Sequence, residues 1–395
     1  LALLTKPGGV AVFWPAAGIS AGTLIALGAS ARLPVVAGVA VASTLASLLG
    51  DRSIPAATVF TLCNVGEPLF VAWLLHRLYG DNLSLDSLSK VTGFFLVSGL
   101  GPAISGGVAT VGFILFYDPT ASALTTWLNW FASDALGIVM VAPLLIGLND
   151  LRGEPPEKWE LGLGALTLAA LIMVAVICLS SPEHYWYTAL PLGMLLPALL
   201  AAHCRPVFAA AASLVLGVAV VWTTTFGLVP VDIDEASRLL DRASAGRAIL
   251  LAISATTLVL AALFAERRSA LAALVDSNGR LADGLAAGNV VAFEWDAVTS
   301  KSKRSHNARP ILGDDQGSHF LNSVHPEDRT RFKECIRGLS PKSPSYTLSF
   351  RYCSRDGRQL CLEERGRAEF DSAGRLLRVK GLTRDISDRK MAELA

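Results

Sequence analysis

Charge is what this sequence has least of. Of 395 residues, 17% are Asp, Glu, Lys or Arg and 52% are hydrophobic, whereas a soluble domain carries about 25% charged residues. The shortage is local. Residues 1–265 hold 11 Lys/Arg and 15 Asp/Glu, and residues 266–395 hold 23 and 18. A nearly uncharged block therefore precedes an ordinary charged domain. The overall charge of +1 averages two solvents and gives no sign of nucleic-acid binding. Chemistry-bearing signatures are missing too: there is no Gly-rich phosphate loop, paired metal-binding His, nucleophile elbow or kinase signature, so no catalysis is expected of this chain. Six cysteines are scattered (Cys63, Cys178, Cys204, Cys335, Cys353 and Cys361) without metal-type spacing, as suits unpaired thiols in a reducing compartment. No secretory signal is visible. The chain opens on Leu1 rather than Met and closes at Met391–Ala395 in what reads as the start of a helix, so it is expected to be a fragment of a longer protein.

What is present in the first block is long apolar runs. A span needs about 20 apolar residues, and nine stretches qualify: about 10–28, 33–50, 54–76, 91–117, 125–148, 159–181, 185–203, 206–226 and 246–265. Gly and Pro are frequent in them, as membrane helices tolerate. Alternation of the connecting loops puts Arg32, Arg77, Lys90, Arg152, Lys158, Arg205, Arg267 and Arg268 on one side of the bilayer. The positive-inside rule makes that side cytoplasmic. The charged C-terminal domain then lies in the cytoplasm. The His184–Tyr187 run reads as an interfacial aromatic belt.

Ionisable residues within spans are costly and mark function by default. Glu67 follows Asn64 by three residues, on the same helix face, and precedes Pro68, which frees a backbone carbonyl one turn earlier. Asp134 belongs to a stripe with Trp127, Trp130 and Gly137 at 3-4-3 spacing. A carboxylate flanked by aromatic faces can hold a cationic or polar ligand. The same carboxyls can instead serve only as polar glue between helices, and both readings stand at this point. Trp14-Pro15 opens a span with Pro in its first turn. Gly18/Gly22 and Gly101/Ser105 are small-xxx-small pairs that signal close helix packing.

Trp14-Pro15-x-x-Gly18-Ile19, Asn64-x-x-Glu67, and Asp134-x-x-Gly137 with Pro143, in this order, resemble the membrane-associated sensor domain called MASE, first type. The resemblance covers most of residues 1–265. It implies an integral input module of a bacterial signalling protein with about eight spans, which makes one of the nine candidates a re-entrant or interfacial segment. The ligand-binding candidates are Trp14, Asn64, Glu67, Trp127, Trp130 and Asp134.

Beyond the last span, Phe264, Arg267, Leu271, Leu274, Asn278, Leu281 and Leu285 alternate spacings of 3 and 4. This is the a/d rhythm of a dimeric coiled coil, with one Asn fixing register. The connector is placed at residues 266–282. The competing expectation is a helix that stops near Ser277, at the Asn278-Gly279 turn signal, followed by a short amphipathic helix.

Residues 283–388 read as mixed α and β. Val291, Phe293 and Trp295 alternate, as do Tyr346, Leu348, Phe350 and Tyr352. His325-Pro326-Glu327-Asp328 is expected to begin a helix that ends at Gly338. Arg355–Arg358 and Asp371–Gly374 mark turns leading to strands with Leu360 and Leu362 and then Val379. Phe293-Glu294-Trp295-Asp296, Val324–Arg329, Phe350-Arg351-Tyr352 with Asp356-Gly357, and Gly381–Lys390 resemble a PAS domain with its trailing PAC motif. This implies a five-stranded antiparallel sheet cupping a pocket, often dimeric, in which Asp385-Ile386-Ser387 couples the last strand to an output helix at 389–395. The resemblance indicates no cofactor and leaves the PAS ligand unknown: Cys335 lacks the flavin-adduct context, and of the histidines that a haem would need, His319 is conceivable while His325 suits helix capping better. Trp295, Phe320, Tyr346 and Phe350 are expected in the core.

The fold class is thus a polytopic α-helical membrane bundle of about eight to nine spans plus a cytoplasmic α+β PAS domain. The expected partners are the lipid bilayer, a second copy of the chain and an unidentified stimulus, with no nucleic acid. PAS domains commonly precede histidine kinase or cyclic-di-GMP modules, so the reading is the input half of a receptor. The alternative is a transporter with a regulatory PAS domain, against which no internal repeat is visible.

Overall fold

The computed structural model describes residues 13–394 apart from 82, 154, 181–194, 226–234, 314–319 and 355. The chain divides into two compact units, Leu1–Ser269 and Ala270–Ala395.

The first unit is all helical. α1 (Pro15–Leu27) passes through a 3-10 turn (Gly28–Ala31) into α2 (Arg32–Leu49), followed by α3 (Ile54–Tyr79), α4 (Leu88–Phe116), α5 (Ala123–Gly153), α6 (Lys158–Ser180), α7 (195–203), α8 (Pro206–Thr225) and α9 (Glu235–Ala287). Among the described residues, six helical segments are long and apolar enough to cross a membrane: Pro15–Leu49, Ile54–Tyr79, Leu88–Phe116, Ala123–Gly153, Lys158–Ile177 and Gly246–Ala287, with Pro206–Val221 apolar but shorter. Of the nine stretches, 33–50, 54–76, 91–117, 125–148 and 246–265 lie on these helices to within a residue, whereas 10–28, 159–181, 185–203 and 206–226 fall partly outside the described residues. The first two stretches are not two full spans. α1 has 13 residues, about 20 Å at 1.5 Å per residue, short of the roughly 30 Å hydrocarbon core.

Small residues set the packing. α1 makes its most extensive contact with α5. A β-carbon on Gly18 would lie 2.0 Å from the Gly137 carbonyl oxygen, and one on Gly137 would lie 2.0 Å from that of Trp14. The backbones therefore touch, and the Trp14 N–H donates to the Ser133 carbonyl across the same crossing (3.2 Å). Gly101 of α4 admits the Val71 side chain of α3. Pro68, Pro102 and Pro143 each interrupt the interior of α3, α4 and α5.

α9 runs unbroken through Asn278-Gly279, so the expected stop near Ser277 is not realised. The turn chemistry of Asn-Gly is overridden because Leu281, Ala282 and the residues around them continue good helical sequence. Leu271, Leu274 and Leu281 are 52%, 57% and 65% exposed, Asn278 is exposed and Leu285 half-buried.

The second unit is a five-stranded antiparallel sheet of order β2-β1-β5-β4-β3, formed by β1 (Val290–Asp296), β2 (Ser302–Arg304), β3 (Ser345–Cys353), β4 (Gln359–Phe370) and β5 (Leu376–Asp385). Short helices α10 (Ala308–Leu312), α11 (Phe320–Ser323) and α12 (Arg329–Arg337) join β2 to β3, and α13 (Ser387–Leu394) follows β5. Gly357 (φ 89°) and Gly374 (φ 78°) turn the β3–β4 and β4–β5 hairpins, a left-handed conformation that only glycine adopts freely. Val291, Val324, Phe350, Tyr352, Leu360 and Leu362 form the core with Phe332 of α12.

One boundary differs from expectation: α12 begins at Arg329, not at His325. The His325 N–H donates to the Arg351 carbonyl (2.8 Å), which ties that residue to the sheet. Asp328 occupies the N-cap position and spends its side chain on Arg351 instead, accepting from its backbone N–H at 2.8 Å and its Nε at 3.1 Å. The Arg351 guanidinium holds the Asp328 carboxyl down to about 2. A depressed carboxyl stabilises the fold above its unfolded value near 3.9, and that stabilisation is lost as pH falls towards 2. Asp328→Ala is expected to destabilise the PAS unit by about 1–3 kcal/mol at pH 7 and to flatten the acid limb of its unfolding curve. Chemical denaturation of residues 283–388 at pH 7 and pH 3 checks both.

Candidate functional site

α3 and α5 bring the two intramembrane carboxyls together. Glu67 and Asp134 are each only 5% exposed, and their carboxyls lie within hydrogen-bonding reach of each other. An ionised carboxylate only accepts, so a hydrogen bond between the two requires a proton on one of them. Ser105 of α4 donates its hydroxyl to Glu67 Oε2. Gly101, one turn earlier, is what lets α4 come that near α3, so the small-xxx-small pair serves both packing and the site. Among the described residues no Lys, Arg or His pairs with either acid.

Glu67 also lines a cavity of about 300 Å³ between α1, α2 and α3. Trp14, the N-cap of α1, faces it with Ser20 and Thr23 of α1, Val35, Val39 and Ser43 of α2, and Asn64 of α3. Asn64 Nδ2 donates to Ser43 Oγ at 2.8 Å, and Pro68 leaves the Asn64 carbonyl without the N–H that an uninterrupted helix would supply.

The six candidates therefore divide. Trp14, Asn64 and Glu67 share the cavity, and Asp134 stands behind Glu67. Trp127 and Trp130 lie on one face of α5 as their spacing requires, but they turn to α4. Both indoles pack over Gly106, and Trp127 Nε1 donates to the Ala103 carbonyl (3.0 Å). The Trp130 ring sits 5.3 Å from that of Phe60, while its edge approaches Asp134. Ser43 and Ser105 escaped sequence reasoning because a serine in a run of small residues carries no signal beyond packing.

On α9, Arg247 Nη1 donates to Asn129 Oδ1 of α5 (2.8 Å). Further along, Arg268 donates to the carbonyls of Ala202 and Cys204 (both 2.9 Å), and Glu266 accepts from the first-turn N–H of Leu88 on α4 (3.3 Å). α9 is thus fastened to α5, α4 and the end of α7.

The PAS unit has a cavity of about 390 Å³. Phe293, Trp295, Phe320 and Tyr346 line it, so of the four aromatics expected in the core only Phe350, at 2% exposure, is fully buried there. Glu364 is buried at the cavity wall, accepting from Tyr346 Oη (2.5 Å) and Thr383 Oγ1 (3.1 Å). Burial pushes its carboxyl above the usual range, and the Tyr346 phenol is raised by burial and by that carboxyl. At the exit of β5, Asp385 Oδ1 accepts from Ser387 N (2.9 Å) and Oγ (2.5 Å), and the Cys361 N–H donates to Ser387 Oγ (2.9 Å). Ile386 is buried and its N–H donates to the Cys361 carbonyl (2.8 Å), so the start of α13 is pinned to β4. His319 lies outside the described residues. Among those described, no three His, Cys, Asp or Glu side chains form a metal-binding group, and Cys63, Cys204, Cys335, Cys353 and Cys361 are free thiols.

A helical membrane unit with a buried polar centre, continued by a PAS fold, defines a membrane sensor of the signal-transduction class. The chain belongs to the MASE1 family, whose model matches residues 1–268, and the PAS fold model matches residues 312–383. Among solved structures, it is similar to a sensory box histidine kinase/response regulator from Burkholderia thailandensis, at 25% identity over 29% of this chain and 89% of that one, with a TM-score of 0.26. It is also similar to the N-terminal domain of a diguanylate cyclase with PAS/PAC sensor from Marinobacter aquaeolei, at 20% identity over 26% and 98% of the two chains, with a TM-score of 0.22. No curated protein matches the chain.

Proposed function

We propose that this chain is the sensory input of a bacterial receptor, and that its membrane bundle (residues 1–265) reads a stimulus at the Glu67–Asp134 pair and the adjoining cavity. The observation that carries this reading is the meeting of two buried carboxyls from different helices at the wall of a cavity. Polar glue alone needs no such cavity. The bundle resides in the inner membrane with the PAS domain (283–388) in the cytoplasm, as the distribution of Arg and Lys favours. A stimulus with different affinity for two states of the bundle shifts their populations. α9 carries the shift through the connector (266–282), where Leu271, Leu274, Asn278, Leu281 and Leu285 pair with a second copy. Asp385, Ile386 and Ser387 then pass it to the helix beginning at 389, and on to a histidine kinase or a cyclic-di-GMP cyclase or phosphodiesterase.

Glu67→Gln and Asp134→Asn keep size and hydrogen bonding but remove ionisation. Each is expected to change signalling output about tenfold or to lock it, a population shift of about 1.4 kcal/mol, with unchanged membrane abundance. A transcriptional or cyclic-di-GMP reporter of the complete protein in its host checks this. Wild-type output and wild-type response from both variants would remove the carboxyl pair from signalling, and solute flux in proteoliposomes would instead favour transport.

A further inference from the structure

The geometry points to a small organic cation, a protonated amine with an apolar body, as the ligand of the cavity between α1, α2 and α3. This inference rests on the reading of that cavity as the sensory site and adds the chemistry of what enters it.

Among the described residues Glu67 is the one ionisable side chain lining the cavity, so any formal charge that lining carries is negative. A buried charge must be paired or neutralised, yet no Lys, Arg or His among the described residues meets Glu67 or Asp134. Hydroxyls offer acceptor lone pairs even when they donate elsewhere, and Ser20 and Thr23 spend their hydrogens on carbonyls of their own helix. Together with the Asn64 carbonyl freed by Pro68, they leave a wall rich in acceptors. Such a wall suits a ligand that donates several hydrogen bonds, as an ammonium does. The Trp14 indole adds a face that attracts cations.

Size excludes a bare ion. About 300 Å³ is the liquid volume of roughly ten waters, room for a molecule of several carbons. A metal would need several oxygen ligands at once, and only one carboxyl lines this space. Val35 and Val39 cover the α2 side, where an apolar body replaces lipid contact at no polar cost. The amine would pair with Glu67 while Asp134 keeps the shared proton behind it.

The test is thermal unfolding of the whole chain in nanodiscs at constant pH, followed by tryptophan fluorescence, with phenethylamine, 2-phenylethanol and phenylacetate as probes. Phenethylamine is expected to raise Tm by about 3–6 °C at ten times its Kd, and the alcohol and the acid to raise it little or not at all. Glu67→Gln should abolish the amine shift. Val39→Phe, which fills the cavity and leaves both carboxyls in place, should abolish it too and keeps the test valid if Glu67→Gln folds poorly. An equal shift by the alcohol, or an amine shift that survives both substitutions, overturns the inference. So does no shift by phenethylamine; if Glu67→Gln still alters signalling output, only the amine is lost, whereas unchanged output removes the sensory site as well.

Discussion

Gly137→Val is expected to prevent the membrane unit from assembling. Its β-carbon would lie 2.0 Å from the Trp14 carbonyl oxygen, and Gly18 meets the Gly137 carbonyl just as closely from the other side. Both obstacles are backbone, which cannot rotate away as a side chain does. α1 would have to move off α5 as a body, giving up the Trp14–Ser133 hydrogen bond and the burial of Ala17, Ala21, Leu24 and Ile25. Ordinary overpacking costs about 1–3 kcal/mol, and a backbone clash at the most extensive helix contact belongs at or above the top of that range. The expected outcome is a Tm lowered by about 10 °C or more, or no monodisperse protein on size exclusion in detergent. Gly107→Val is the control, because no atom lies within 4 Å of the β-carbon it would add. Equal stability of the two variants would show that α1 and α5 do not cross at Gly18 and Gly137.

Arg268→Ala is expected to loosen α9 from the bundle. The guanidinium donates to the carbonyls of Ala202 and Cys204, at a helix end where α7 cannot satisfy its last carbonyls internally. Losing charge-assisted hydrogen bonds of this kind costs about 1.5–3 kcal/mol each way of counting, a Tm decrease of roughly 3–12 °C. Arg268→Lys, which keeps the charge but not the fork that reaches both Ala202 and Cys204, is expected to recover only part of it. A functional signature separates this from simple instability: with Glu266 still capping α4, the bundle remains folded while its response to stimulus falls. Full response and unchanged Tm in Arg268→Ala would mean that α9 is held elsewhere.

How much of this was legible beforehand follows from which physical term decides each feature. Spans and strands were readable because hydrophobic period and length dominate there: Tyr346 to Tyr352 alternate in sequence and in the sheet. The pairing of Glu67 with Asp134 was not, since it depends on how α3, α4 and α5 cross, and single-sequence patterns hold no inter-helix register. The Trp127–Trp130 stripe shows the converse. Its face was correct, but which neighbour it meets was set by Gly106 of α4. Asn278-Gly279 looks like a turn only in isolation, and the helical residues on both sides override it. The late start of α12 came from Asp328 serving β3 through Arg351, a long-range contact that a local capping rule cannot contain.

Disulfide trapping in membranes addresses most directly the claim that the bundle acts on the PAS domain through a paired α9. With the native cysteines replaced and Leu274→Cys introduced, the account predicts a cross-linked dimer under mild oxidant, formed at a rate that Glu67→Gln changes severalfold. Absence of the dimer would contradict the paired connector, and an identical rate in both backgrounds would contradict a path from the buried carboxyls to α9.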